Sequence, residues 1–120
     1  MTGDVLIIED EPIIALDLAQ KIRKLGYSVS GIASDSGEAL DLAEKKRPAL
    51  ALVDIKLKGT IDGIEIARIL KERFSTRVVF VTAYSDDEVK GRAMEVNPDG
   101  YLLKPINKAD FEKIITSILS

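Results

Sequence analysis

Apolar residues along this chain fall into two alternating patterns. Short unbroken runs, Val5-Leu6-Ile7-Ile8, Ala49 to Asp54, Arg77-Val78-Val79-Phe80-Val81-Thr82 and Tyr101-Leu102-Leu103, read as strands covered on both faces. A strand with one wet face would alternate instead. Tyr27 to Ala33 reads as a further strand, diluted by Ser28, Ser30 and Gly31, and its lower hydrophobicity suits a place towards a sheet edge. Between the runs, apolar residues recur every three or four positions, the period of a helix with one buried stripe. Ile14, Leu18, Ile22 and Leu25 form the first stripe, with Pro12 suited to its first turn and Gly26 as its C′ residue. Asp35 and Glu38 resemble a capping box before Ala39, Leu40, Leu42 and Ala43, and Lys45-Lys46-Arg47 with Pro48 closes that helix. Asp62-Gly63 leads into a third helix bearing Ile66, Ala67, Leu70 and Phe74.

Ser85, Asp86, Asp87 and Glu88 suit the start of a fourth helix, where carboxylates meet the positive end of the dipole. Val89, Ala93 and Val96 give it a thin apolar stripe, and Gly91 costs about 1 kcal/mol relative to Ala, so it is expected to be the least firmly held. Asn97-Pro98-Asp99-Gly100 is a turn, and Asn97 tolerates a left-handed conformation. The last helix, from about Asn107, carries a full stripe of Phe111, Ile114, Ile115, Ile118 and Leu119. Five strand patterns thus alternate with five helix patterns, with no repeat, linker or low-complexity stretch. That order predicts one domain over residues 1–120, an α/β fold with a doubly wound parallel sheet and helices on both faces.

Composition narrows the chemistry. With no His and no Cys among 120 residues, disulfides, thiolate metal sites, Ser-His-Asp triads and imidazole bases are excluded. A net charge of −3 offers no basic footprint for nucleic acid or an anionic membrane, and an aromatic content of 5% without Trp makes base-stacking platforms implausible. No apolar run nears the ~20 residues that span a bilayer, and Met1 opens onto no signal-like segment, so a soluble cytoplasmic domain is expected. Any chemistry must run on carboxylates, hydroxyls, lysine and a metal.

In a parallel sheet the C-terminal strand ends share one edge, and ligands bind in the crevice outside it. Four of the five strands end there in a chemically useful group: Glu9-Asp10, Asp54, Thr82 and Lys104. Taken singly each has an ordinary explanation, as a helix cap, a turn residue or a solvated lysine; their shared topological position is harder to dismiss. Three neighbouring carboxylates repel unless a cation balances them. An all-oxygen ligand set favours a hard ion such as Mg²⁺, which keeps waters and accepts phosphate oxygens. Lys104 supplies a compact positive charge and Thr82 a hydroxyl donor, both suited to phosphoryl oxygens. An Asp in such company can attack phosphorus and become an aspartyl phosphate.

These residues carry a resemblance. Ile7-Ile8-Glu9-Asp10-Glu11-Pro12, Val53-Asp54, Asp62-Gly63, Val81-Thr82-Ala83 and Gly100-Tyr101-Leu102-Leu103-Lys104-Pro105, in this order, resemble the receiver domain of two-component response regulators over essentially the whole chain. The resemblance implies a flavodoxin-like sheet of order 2-1-3-4-5, with Asp54 as phosphoacceptor. It implies Mg²⁺ or Mn²⁺ held by Glu9, Asp10, Asp54 and the Lys56 backbone carbonyl, with Lys104 pairing with the phosphoryl group. It makes Thr82 and Tyr101 the switch pair and the Lys104-Pro105 bond cis. The implied phosphodonor is a sensor histidine kinase or phosphotransfer protein, the output an unidentified downstream protein, and turnover only self-phosphorylation and slow autodephosphorylation. Lys56 and Tyr84, two residues beyond Asp54 and Thr82, flank the expected path of attacking water and are expected to tune that dephosphorylation.

The loop after Asp54 departs from the family pattern. Lys56-Leu57-Lys58-Gly59-Thr60-Ile61 lacks the Pro common there and is one residue longer than the commonest form. Rival readings fare worse. A haloacid-dehalogenase-like phosphohydrolase would place a second Asp where Lys56 stands, and would need a cap insertion that does not fit. A flavodoxin-like binder lacks its Ser/Thr-rich phosphate loop, and an interaction module without phosphoryl turnover has no need of the acid pair, Thr82 and Lys104 together.

Overall fold

Strand runs without polar interruption need cover on both faces, and in the computed structural model they receive it. The structure describes residues 3–58 and 62–120; Met1, Thr2 and Gly59, Thr60 and Ile61 of the lengthened loop lie outside the described residues. Five strands, β1 (Asp4–Ile8), β2 (Ser28–Ala33), β3 (Leu50–Val53), β4 (Arg77–Thr82) and β5 (Gly100–Leu103), form one sheet of order β2-β1-β3-β4-β5. Every neighbouring pair is parallel. The helices alternate with them: α1 (Pro12–Lys24), α2 (Ser36–Lys46), α3 (Gly63–Phe74), α4 (Asp87–Met94) and α5 (Lys108–Leu119). The expected doubly wound α/β fold is therefore what forms, with β2 at one edge.

Residue parity sorts the core into two layers. Leu6, Ile8, Ala51, Val53, Val78 and Phe80 pack on one face with Ala39, Ala43, Ile66, Ala67, Leu70 and Ala93 of α2, α3 and α4. Val5, Ile7, Leu50, Leu52, Val79 and Val81 pack on the other with Ala15, Leu18, Ala19, Ile22, Phe111 and Ile115 of α1 and α5. Burying each Leu, Ile or Val side chain contributes about 1.5–3 kcal/mol, so the two layers hold the strand ends in fixed register. Helix α4 is the exception: Ala93 is its only buried residue, in line with its thin stripe.

Local signals were met with small displacements. Gly26 follows the α1 C-cap Leu25 at φ 93°, and Asn97 takes φ 57°. Asp35 caps α2 by accepting from the Glu38 N–H at 2.9 Å. The Glu38 carboxylate, however, accepts from the N–H and hydroxyl of Ser34, both at 2.8 Å, and so reaches one residue further back than a capping box requires. Asn107 precedes α5 as its cap, accepting from the Asp110 N–H at 3.0 Å. Lys104-Pro105 is cis.

Among the described glycines, Gly63 makes the tightest approach. A Cβ there would fall inside van der Waals distance of the Asp54 carbonyl oxygen and 2.7 Å from Ile55 Cα, both backbone atoms that cannot swing away. The Gly63 N–H donates to the Ile55 carbonyl at 2.8 Å, so the start of α3 rests directly on the chain leaving β3. Gly63→Ala is expected to cost about 3 kcal/mol or more, the upper end of overpacking, and to displace Asp54. Urea denaturation followed by circular dichroism measures the first effect; an unchanged midpoint would show that the contact relaxes freely.

Candidate functional site

The hydrogen-bond ladder of the sheet runs one residue past the strands and thereby fixes the polar residues at their ends. Glu9 N–H donates to the Ala33 carbonyl at 2.9 Å, Asp54 N–H to the Ile8 carbonyl at 3.0 Å, and Lys104 N–H to the Thr82 carbonyl at 2.8 Å. Glu9 and Asp10 thus leave β1 beside Asp54 at the end of β3, at the point where the chain switches from building the sheet on one side of β1 to the other. Asp10, Asp54, Lys56, Thr82, Tyr84 and Lys104 all line one cleft of about 500 Å³, together with Glu11, Ile14 and Ala83. The residues singled out in the sequence are therefore brought together, apart from Tyr101, which stands behind the cleft.

Electrostatics organise the floor. Lys104 Nζ donates to Glu9 Oε1 at 2.7 Å and to Asp54 Oδ2 at 3.0 Å. Glu9 is 2% exposed and Asp54 8%, so both carboxylates are largely withdrawn from water. Burial raises the Glu9 pKa above its ordinary value, and the Asp54 charge adds to this, against the opposing pull of Lys104 and the Glu11 N–H. Burial by itself would lower Lys104, but its hydrogen bonds to Glu9 and Asp54 outweigh that and leave its pKa raised. Glu9 Oε2 accepts from the Glu11 N–H at 3.1 Å, and Asp54 Oδ1 from the Lys56 N–H at 3.3 Å.

Carboxylate oxygens of Glu9, Asp10 and Asp54 lie within 4.8 Å of one another. One ammonium against three carboxylates leaves the cluster negative, and the donors are all oxygen. This set fits a hard divalent cation such as Mg²⁺ or Mn²⁺, which would offset the remaining charge.

Behind the cleft, a chain of contacts joins Thr82 to Tyr101. The Thr82 hydroxyl, fully buried, accepts from the Tyr84 N–H at 3.3 Å, and the Tyr84 carbonyl accepts from the Tyr101 hydroxyl at 2.8 Å. The Tyr101 ring lies 6.0 Å from Phe80, and Lys90 of α4 stands 5.3 Å over its face. Burial raises the Tyr101 hydroxyl pKa above its ordinary value. Beyond the expected place of Tyr84 beside the path of water, its backbone touches both Thr82 and Tyr101. Lys58 and Lys90 were missed altogether. Lys90 carries no signal beyond a charge on a helix, and Lys58 enters through its backbone N–H, which donates to Asp10 Oδ2 at 2.8 Å.

Comparisons with known proteins agree with this geometry. A family model described as the response regulator receiver domain matches residues 5–116. The chain is 38% identical over 120 residues to the phyllosphere-induced regulator PhyR of Methylorubrum extorquens, covering 99% of this chain and 44% of that protein. It is also 38% identical over 106 residues to the transcriptional regulatory protein PdtaR of Mycobacterium tuberculosis, covering 88% and 51%. The chain spans about half the length of these curated relatives. Among solved structures, the signal receiver domain of a modulated diguanylate cyclase from Desulfovibrio desulfuricans superposes with a TM-score of 0.90 at 37% identity, covering 98% of this chain and 94% of that one. The receiver domain of PhyR from Erythrobacter litoralis gives 0.86 at 32%, covering 98% and 89%.

The Lys104 bridge makes a pH-resolved expectation. Because the folded Glu9 pKa lies above the unfolded 4.5, the native state holds that proton more tightly, and stability falls as pH rises through the folded value. In metal-free Lys104→Met the Glu9 carboxyl loses its cation, so its NMR titration midpoint should move further up. The variant should be closest to wild type near pH 4.5 and fall progressively behind towards pH 7. A midpoint unmoved from wild type would show that Lys104 does not hold the Glu9 charge.

Proposed function

The chain belongs to the response regulator receiver domain family, and on that premise we propose that residues 1–120 form one receiver domain whose Asp54 accepts a phosphoryl group from a protein phosphohistidine. The observation that carries this reading is the Lys104 ammonium bridging Asp54 to Glu9 in a cleft at the strand ends. An Asp54 carboxylate oxygen attacks phosphorus, the P–O bond forms as the P–N bond breaks, and the imidazole leaves with the electron pair and takes up a proton. Lys104, already 3.0 Å from Oδ2, follows the charge onto the phosphoryl oxygens. The Thr82 hydroxyl accepts its hydrogen bond from Tyr84, so its own proton is left to donate to the phosphoryl group. When bound by Glu9, Asp10, Asp54 and the Lys56 carbonyl, Mg²⁺ or Mn²⁺ supplies positive charge against the phosphoryl oxygens.

Drawing the Thr82 hydroxyl towards the phosphoryl group disturbs its bond to Tyr84, whose carbonyl holds Tyr101. This is the route by which phosphorylation would reach β5 and α4 and so a downstream protein. The domain is a signalling module, and its chemistry is confined to gaining and slowly losing its own phosphoryl group. Among the described residues no helix is long and apolar enough to cross a membrane, and a cytoplasmic setting, where histidine kinases present their phosphohistidine, suits the reading.

The test is incubation with Mg²⁺ and a small phosphodonor, read by intact mass. Wild type should gain one phosphoryl group, whereas Asp54→Asn, or wild type stripped of divalent metal, should gain none; equal labelling of the Asn variant would remove Asp54 from the role. In the same assay, exchanging Lys56 and Tyr84 together should change the decay of the labelled species several-fold, since both side chains stand at the rim of the cleft. An unchanged lifetime rejects that part.

A phosphohistidine protein must also cover the cleft mouth. On α1, whose Ile14 lines the cleft, Ile13 is 84% exposed and Leu16 58%, an apolar pair left open among the described residues. Ile13→Glu with Leu16→Glu should slow transfer from a phosphorylated kinase about tenfold while leaving labelling by the small phosphodonor intact. Equal losses in both assays would place the defect in the site and not in docking.

A further inference from the structure

Asp10 is the carboxylate of the cluster that Lys104 does not hold. Instead its Oδ2 accepts from the backbone N–H of Lys58 at 2.8 Å, and among the described residues its Oδ1 has no hydrogen-bond partner. Lys58 makes this bond from a left-handed backbone conformation, φ 50°, which residues with side chains rarely adopt. Its ammonium pairs with Asp35 Oδ2 at 3.4 Å, while the other Asp35 oxygen caps α2. One residue thus ties together the loops that follow β1, β2 and β3, and it fixes one oxygen of Asp10.

We infer that Lys58 is a positioning residue for divalent-metal binding, acting through its main-chain N–H on Asp10. The inference rests on the metal reading of the Glu9, Asp10 and Asp54 cluster. Hydrogen bonds from outside the ligand set orient metal-binding carboxylates, and their loss typically costs 10–100-fold in affinity. The lack of proline in the stretch after Asp54 acquires a physical meaning here. A proline at position 58 would have no N–H to give and would hold φ near −65°, far from the observed 50°. The lysine side chain is secondary: glycine at this position keeps the N–H and takes the left-handed conformation freely.

The test is a magnesium titration of the whole 120-residue chain followed by amide NMR. Lys58→Pro should bind magnesium about 10–100-fold more weakly than wild type, and Lys58→Gly within about threefold of it. The Lys58 amide of wild type should be protected from hydrogen exchange without metal, lose that protection in Asp10→Ala, and keep it when magnesium is bound. This last measurement needs no proline variant and stands even where that variant fails to fold. A Lys58 amide that exchanges freely, or that loses protection on magnesium binding, overturns the inference, as does a folded Lys58→Pro with wild-type affinity. Wild type that binds no magnesium overturns the metal reading itself, and this role with it.

Discussion

Two nearly buried carboxylates at the end of neighbouring strands are tolerable only because one ammonium reaches both. Lys104 arrives from the far side of the sheet, past β4, and lies 2.7 Å from Glu9 and 3.0 Å from Asp54. Each partner depends on the others. Without the lysine, Glu9 would be an isolated buried charge and would respond by taking up a proton; without the carboxylates, the lysine would be a desolvated ammonium in want of acceptors. The arrangement also holds the centre in a particular electrostatic state, in which Asp54 is kept close to a cation that any group attached to it would share. Positive charge held in place beforehand spares reorganisation wherever negative charge develops beside it.

The rest of the fold serves to bring that lysine there. Two apolar layers clamp β1, β3 and β4 on both faces, and the ladder bonds that continue past the strands carry Glu9, Asp54 and Lys104 with them. Gly63 then lets α3 press against the backbone of Asp54 itself. Position at the strand ends is therefore bought with packing several residues away, where individual contacts are undirected and collectively large.

This division explains what could be read from the residues alone. Parallel strands covered on both faces announce themselves as unbroken apolar runs, and once their direction is common, Glu9, Asp10, Asp54, Thr82 and Lys104 fall on one edge without any pairwise information. Contacts made by main-chain groups leave no such trace. Any residue at position 58 but proline could offer the N–H that meets Asp10, and any residue at 84 the carbonyl that meets Tyr101, so their identities say nothing of either bond. Glu38 was placed correctly as a capping acid, yet its partner is Ser34, because a residue offering both an N–H and a hydroxyl outcompetes a lone N–H. Gly63 looked like a helix start; the need for a missing Cβ arises from Asp54, nine positions earlier in the chain, and only the packed structure brings the two together.

The chain of contacts from Thr82 through the Tyr84 backbone to Tyr101 ends on the part of the fold least able to resist it. Helix α4 buries only Ala93, and its N-terminus is fixed chiefly by Asp86 accepting from the Glu88 and Val89 N–H groups at 2.8 and 3.2 Å. Lys90 over the Tyr101 ring adds a contact worth about 0.5–1 kcal/mol at an exposed site. Moving a two-state element from 1:99 to 99:1 takes about 5.5 kcal/mol of differential interaction, more than one hydrogen bond supplies. A rearranged Thr82 bond can therefore act decisively only on an element whose two positions already differ little in energy. Helix α4, held by buried Ala93, half-buried Val89, a cap and a lysine over the Tyr101 ring, has the fewest contacts to oppose such a shift, whereas α1 and α5 are embedded in the opposite layer.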